Sequence, residues 1–519
     1  MAVNVNNSDS YSNKTEMIKF DYYVCGVYNN QKSTVPECKC FLNYVSCEAK
    51  SVLSPQSHSE YYDDEDNYIH IAFKSFNIQI LDKEFVVKNV TFEYNEVPII
   101  KKTKILNENA KTVENLSLRD NQIAEIENET FDKFASLKIL KLGRNKLTNI
   151  SDAIFTEQLG KTLIELDLNS NLFHSIADIN FVHLQNLEIL WLYNNHFNVN
   201  ENITSVFPAA LSNLKLLNLD ECNITALNEN IFASLTSLET LHLFDNPLQS
   251  FPAAINILAH LQYLNLESTD IVDLSITVKL KINPNFEKLI LSESRIKVIN
   301  DCAFCSFPNL KILHLWKNRH LSHIHENAFG YAYNGTVPKL ESFSVEFCKL
   351  PTIPEKLLNW KNVQEIAIEG NPFICNCSMA WIINDLASAS ETTLNFKEIA
   401  PSEYHGRRKN EMKCAGPHAL RDTAFIHLSG KFCINNKKEQ PSTITVTEAE
   451  EQEDDDSDSS TNYLLISFAI IASFALGFVA FPLFRYLFRL RKQNALFFYK
   501  NENDEKIMED FDGTNTSNV

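Results

Sequence analysis

The residues of this 519-residue chain that could carry chemistry are its twelve cysteines and one run of histidines. His320, His323 and His325 fall together in RHLSHIHENAF. A zinc site needs three or four ligands at fixed spacing, and no cysteine or carboxylate trio joins these histidines, so exposed loop histidines are the expected reading and no metal is expected. The cysteines sort by position. Cys25, Cys38, Cys40 and Cys47 form a C-x12-C-x-C-x6-C cluster, and Cys375, Cys377, Cys414 and Cys433 form a second one. Neither has the C-x2-C spacing of zinc knuckles, and paired cysteines in an oxidising compartment form disulfides. Cys302 and Cys305, in DCAFCSF, either close a small local bridge or remain buried thiols, with a redox role the third reading. No G-x-S-x-G, H-E-x-x-H, phosphate-cradling glycine loop or kinase signature occurs, so neither enzyme chemistry nor a cofactor is expected.

What positions these residues is a pattern that recurs every 24 residues or so from Tyr68 to Phe373. LKILKLGRNKL from Leu137, LIELDLNSNLF from Leu163 and LEILWLYNNHF from Leu187 each fit L-x-x-L-x-L-x-x-N-x-L. Copies start at Tyr68, Val87, Val113, Leu137, Leu163, Leu187, Leu214, Leu238, Leu261, Phe286, Leu310, Leu340 and Val363, about thirteen in all. Side chains alternate along a strand, so the leucines of L-x-L face one side and their neighbours the other, and stacked copies make a parallel sheet. Asn121, Asn145, Asn171, Asn195, Asn246 and Asn318 recur where the chain leaves the strand, where a buried amide can satisfy backbone groups. Cys222 and Cys348 occupy the same column and are expected to be unpaired structural thiols.

This pattern resembles the leucine-rich repeat family. The resemblance implies an α/β repeat solenoid, a curved horseshoe with the parallel sheet on its concave face and a bulkier return side. NPFICNCSMAWIINDL, from Asn371, resembles the start of the C-terminal cysteine-rich cap of extracellular members, and the first cysteine cluster resembles their N-terminal cap with a longer first spacing. By that resemblance the bridges would be Cys25–Cys40, Cys38–Cys47, Cys375–Cys414 and Cys377–Cys433. The expected organisation is a disordered segment 1–24, a cap 25–67, repeats 68–373, a cap 374–434, an acidic stalk 435–461, a transmembrane helix 462–484 and a short cytoplasmic tail 485–519.

The later boundaries follow from composition. KKEQPSTITVTEAEEQEDDDSDSS has almost no large apolar residue, and YLLISFAIIASFALGFVAFPLF after it is uncharged and long enough to cross a bilayer. Arg485, Arg489, Arg491 and Lys492 follow the span, which puts the C-terminus in the cytoplasm and the repeats outside, at the plasma membrane. N-x-S/T sequons at Asn6, Asn13, Asn89, Asn115, Asn128, Asn149, Asn202, Asn223, Asn334 and Asn376 agree with that side. The start, MAVNVNNSDSYSNKTEMIKF, has no apolar signal region, so an upstream leader is expected. A cytosolic scaffold with a tail anchor is the competing reading, and it leaves the cap cysteines and sequons without a purpose.

A formal charge of −19 argues against nucleic acid as a partner. The outward strand positions give Trp191 and Tyr193, then Asn218, Asp220 and Glu221, then His242, Phe244 and Asp245, then Asn265 and Glu267, and later His314, Trp316 and Lys317. Solvent-facing aromatics amid carboxylates are the composition of protein-binding surfaces, so a protein ligand or cell-surface partner is expected there. Over nearly all its extracellular length the chain resembles receptors and adhesion proteins of the Toll-receptor, Slit and connectin kind, yet about 35 residues after the span are too few for a signalling domain. That leaves a receptor that signals through partners, or a non-signalling decoy or structural protein. The ending TSNV, with Ser517 and Val519, resembles the terminal motif read by PDZ scaffolds.

Overall fold

The computed structural model describes residues 87–102, 107–197, 207–274, 279–331, 337–387, 393–396, 412–428 and 432–433, and the backbone of short strands at 23–24, 38–41, 44–48, 50–53, 68–71 and 78–79. The chain divides into two units, Met1–Lys438 and Glu439–Val519. The stalk 435–461, the span 462–484 and the tail with Ser517 and Val519 lie outside the described residues. Among the described residues no helix is long and apolar enough to cross a membrane.

One sheet of fourteen strands runs through the first unit. It opens with an antiparallel hairpin, β1 (Cys38–Phe41) and β2 (Tyr44–Glu48). The rest is parallel: β3 (Asn89–Glu93), β4 (Asn115–Ser117), β5 (Ile139–Lys141), β6 (Glu165–Asp167), β7 (Ile189–Trp191), β8 (Leu216–Asn218), β9 (Thr240–His242), β10 (Tyr263–Asn265), β11 (Lys288–Ile290), β12 (Ile312–His314), β13 (Ser342–Ser344) and β14 (Glu365–Ala367). The register stacks the middle leucine of each copy on the next, from Leu116 and Leu140 through Leu166, Leu190, Leu217, Leu241, Leu264 and Leu289 to Leu313, and all of these are buried. No copy buries its apolar side alone, so the core is one continuous column of leucines closed from behind by return-side phenylalanines such as Phe131, Phe155, Phe181 and Phe232. Burying each of these rings contributes roughly 1.5–3 kcal/mol.

Twelve of the thirteen expected copies supply ladder strands. The copy expected at Tyr68 does not: Tyr68–Ile71 pairs antiparallel with Lys50–Leu53 in a separate sheet, and β3 pairs directly with β2. The twelve copies that supply strands share one turn at the column position.

That turn is uniform. The residue before the column position has a positive φ in all twelve copies, for example Asp120 at 52°, Arg144 at 55°, Asn194 at 55°, Lys317 at 57° and Gly370 at 72°. Only one of the twelve is glycine, so a local cost of order 1 kcal/mol per copy must be offset. The column amide supplies the offset. Asn145 Nδ2 donates to Leu118 O at 3.0 Å and Leu142 O at 2.9 Å while its Oδ1 accepts from Ile123 N at 3.1 Å, tying two coils through one side chain. Asn171, Asn195, Asn246, Asn318 and Asn371 repeat these bonds. Cys222 and Cys348 are unpaired and buried, as their column position implies, and their thiols donate to Leu192 O at 3.3 Å and Leu315 O at 3.4 Å. Burial pushes the Cys348 thiol up to about 12, so it stays a protonated donor.

The α component of the expected α/β solenoid is small. The described return segments are mainly turns and 3-10 turns such as Ile176–Asp178, Ala209–Asn213 and Ala253–Ile257, with one short α-helix, α1 (Glu157–Gly160), whose N-cap Thr156 accepts from Leu159 N. Short returns favour the longer rise of 3-10 geometry, about 2.0 Å per residue. A second helix, α2 (Ala380–Leu386), buries Ile382, Ile383 and Leu386 over the end of the stack. There Trp381 stacks on Trp360 with ring centroids 5.0 Å apart, and Ile366 N of β14 donates to Asn395 O, closing the sheet edge. The Cys375–Cys414 and Cys377–Cys433 bridges tie this cap down. Cys302 and Cys305 also form a disulfide. In the hairpin Cys38 stands opposite Cys47, while Cys25 and the side chains of Cys38, Cys40 and Cys47 lie outside the described residues.

Candidate functional site

The outward strand positions from β6 to β10 build a polar surface. Parallel register sets Asp167 beside Trp191, Trp191 beside Asn218, Asn218 beside His242 and His242 beside Asn265. Trp191 is half-buried and its Nε1 donates to Glu165 Oε1 across one strand at 3.1 Å, which fixes the indole on the sheet. Tyr193 follows two residues on, also half-buried. Phe244, Glu267, His314 and Trp316 are half-buried too. His242 meets Tyr263 edge to face with centroids 5.0 Å apart.

Asp220, expected to face solvent with Asn218, does not. Asp220 is 5% exposed and Asn218 2%. The Asp220 carboxylate accepts from Phe244 N at 2.6 Å and from Asn218 Nδ2 at 2.9 Å, and His242 Nδ1 lies 3.9 Å away. A buried carboxylate is tolerated only where donors satisfy it, and here one donor comes from its own coil and one from the next. Asp220 therefore positions Phe244 rather than offering itself to a ligand.

The surface includes residues not anticipated from the sequence. Glu165 and Asp167 are buried at 8% and 4%, and Arg119 reaches across β5 to bring its Nε within 3.6 Å of Asp167 Oδ2. Asn169 Nδ2 donates to Asp167 Oδ1 as well, and Gly143 leaves room for that amide, because a Cβ there would sit 2.6 Å from Asn169 Nδ2. Lysines cap two aromatics farther along: Lys288 Nζ lies 4.7 Å from the Tyr263 ring centroid and Lys317 Nζ 4.2 Å from that of Trp316, and Lys317 also bonds Glu293 at 2.9 Å. Burial lowers the pKa of Lys288 and raises that of Tyr263. An arginine at an outward position, two coils before an aspartate at an outward position, was the available signal for the Arg119 contact.

The other expected site residues scatter. His314 pairs its Nε2 with Ser342 Oγ at 3.1 Å. His320 and His323 are exposed, and His325 Nδ1 accepts from Asn327 N at 3.2 Å. Asn128, Asn149, Asn223 and Asn376 are exposed. Asn89 and Asn115 sit side by side on β3 and β4, half-buried, with Asn115 Nδ2 donating to Asn89 Oδ1 at 2.5 Å. Asn202 and Asn334 lie outside the described residues. A cleft of about 420 Å³ between the last repeat and the cap is lined by Lys349, Glu369, Phe373, Met412 and Lys413, away from the aromatic face.

A leucine rich repeat family signature matches residues 111–157 and 212–271, so the chain carries leucine-rich repeats. Chaoptin of Drosophila melanogaster is 28% identical over 216 residues, 41% of this chain and 16% of chaoptin, so the matched stretch spans less than a fifth of that protein. Lumican of Rattus norvegicus is 26% identical over 303 residues, 54% of this chain and 79% of lumican. Among solved structures, a chain in the octameric complex of latrophilin 3, Unc5D and FLRT2 is similar with TM-score 0.47 and 21% identity, over 76% of this chain and 97% of that one.

Proposed function

We propose that this chain is a leucine-rich repeat protein of the cell surface that binds a protein partner through its strand face, with Trp191, Tyr193, His242, Phe244 and Glu267 at the centre and His314 and Trp316 at the far side. The observation that carries the reading is the half-buried indole of Trp191, held by Glu165 and flanked by Tyr193 on a rigid sheet. Rigid aromatics with one polar anchor are what protein interfaces use as hot spots, because little side-chain entropy remains to be lost on binding. The role is recognition and not catalysis. In this reading the span 462–484 holds the repeats outside the cell as a type I glycoprotein, sequons including Asn128, Asn149 and Asn223 carry glycans, and signalling passes through partners, with Ser517 and Val519 offered to a PDZ scaffold.

The test is a binding screen of the chain displayed on cells against secreted and surface proteins, followed by the Trp191→Ala, Tyr193→Ala double variant. Loss of about 2 kcal/mol or more in affinity is expected for a hot-spot pair. A partner that binds the folded double variant as tightly as the parent would overturn the assignment.

A further inference from the structure

Cys302 and Cys305 close a disulfide across a separation of three residues, on the return segment between β11 and β12. Both are half-buried, whereas Cys375 and Cys414 of the cap are 2% and 1% exposed. Residues 129–137 make the same turn without cysteines, with Glu129 at the Cys302 position and Asp132 at the Cys305 position. Glu129 and Cys302 share a φ of 58°. Asp132 N donates to Glu129 O at 3.3 Å and Cys305 N to Cys302 O at 3.2 Å, while Phe134 N to Phe131 O and Phe307 N to Phe304 O both measure 3.0 Å. Each turn is also tied to the next coil, Glu129 N to Ala153 O at 2.7 Å and Cys302 N to Asn327 O at 3.0 Å, and each buries a phenylalanine, Phe131 or Phe304. Backbone bonds and the buried ring therefore set this turn, and the bridge is not needed to form it. Closing so short a loop also removes little freedom from the unfolded chain. Cys377–Cys433 is reachable from solvent as well, but it closes a separation of 56 residues and fastens the cap, so its opening is not neutral for the fold.

We propose that Cys302–Cys305 is a thiol–disulfide exchange site, at which an external dithiol passes two electrons to this chain while the fold stays intact. One thiolate of the dithiol attacks a sulfur of the bridge, the S–S bond breaks as a mixed disulfide forms, and the other cysteine leaves as a thiolate that takes up a proton. The second thiol then attacks the mixed disulfide, frees the first cysteine and closes the external disulfide. The bridge gains two electrons and two protons, and the dithiol loses them. Because the turn persists without the bridge, the two thiols stay neighbours, and the reverse reaction with an external disulfide restores the bond. The site lies on the return side, so it acts independently of the strand face.

The probe is dithiothreitol, added to the full chain in mild detergent without denaturant, with thiols then blocked by N-ethylmaleimide and located by peptide mass mapping. Cys302 and Cys305 are expected to become modified about tenfold faster than Cys375 and Cys414. Cys222 and Cys348, buried in the asparagine column, report unfolding and should stay unmodified. Replacing the reductant by oxidised dithiothreitol should return the pair to its bridged mass. The Cys302→Ser, Cys305→Ser variant should unfold at the same urea concentration as the parent. Modification of Cys302 and Cys305 no faster than that of Cys375 and Cys414, or only together with Cys222 and Cys348, overturns the proposal. So does failure of the bridge to re-form, and a lowered urea midpoint or failure to fold in the double variant would make the bridge a structural staple instead.

Discussion

At the scale of single residues, a repeated side chain matters when it joins two coils. Asn145 serves both its own coil and the one before through bonds of 2.9–3.1 Å, so truncating it strands buried backbone groups on each. Asn145→Ala is expected to cost roughly 2–3 kcal/mol in urea unfolding, where a surface asparagine such as Asn149 costs almost nothing. Two glycines separate side-chain from backbone conflicts. A Cβ at Gly160 would lie 1.8 Å from His183 O, and backbone cannot yield cheaply, so Gly160→Ala should cost about 3 kcal/mol. At Gly143 the obstacle is the Asn169 side chain, which can swing aside, so Gly143→Ala should cost about 1 kcal/mol or less while loosening the Asn169 bond to Asp167. The asparagine column and the two thiols within it were legible in the sequence, because each recurs at a fixed offset. The burial of Asp220 was not, since position in a strand fixes which way a side chain leaves the sheet but not whether a neighbouring amide claims it.

At the scale of elements, one edge of the sheet carries a charge ladder. Lys88, Glu114 and Lys138 immediately precede successive strands, with Lys88 Nζ 2.9 Å and Lys138 Nζ 2.8 Å from the Glu114 carboxylate, and Glu188 with Lys215 and Glu287 with Lys311 repeat the contact. Opposite charges directly across adjacent strands help hold register. Hydrogen bonds from Lys138 and Lys88 lower the Glu114 pKa from its ordinary 4.5 to about 2. A depressed carboxylate adds stability that is present above its unfolded pKa and lost as pH falls through the folded one. Glu114→Gln should therefore flatten the pH dependence of unfolding between about 4.5 and about 2 and leave it unchanged at neutral pH. Because the ladder is solvent-exposed, salt should shrink the difference. The strands were readable from leucine spacing alone. The 3-10 character of the returns and the absence of a ladder strand at Tyr68 were not, because both depend on what neighbouring coils leave room for.

At the scale of the molecule, twelve ladder strands share one core and each coil contacts mainly its neighbours, so order depends on closed ends. The hairpin β1–β2 pairs onto the first parallel strand, and the disulfide-tied α2 segment covers the last. A scaffold of this kind holds side chains on successive strands at fixed separation, which suits a preorganised recognition face. The central claim is that this face, and not the return side, meets the partner. Amide hydrogen exchange of the chain with and without a captured partner tests it most directly. Protection is expected to rise in peptides covering Ile189–Asn194, Thr240–Asp245 and Tyr263–Glu267, with the return segments Ile176–Asp178 and Ala253–Ile257 unchanged. Protection confined to the return segments, with those strand peptides exchanging as in the free protein, would contradict the account.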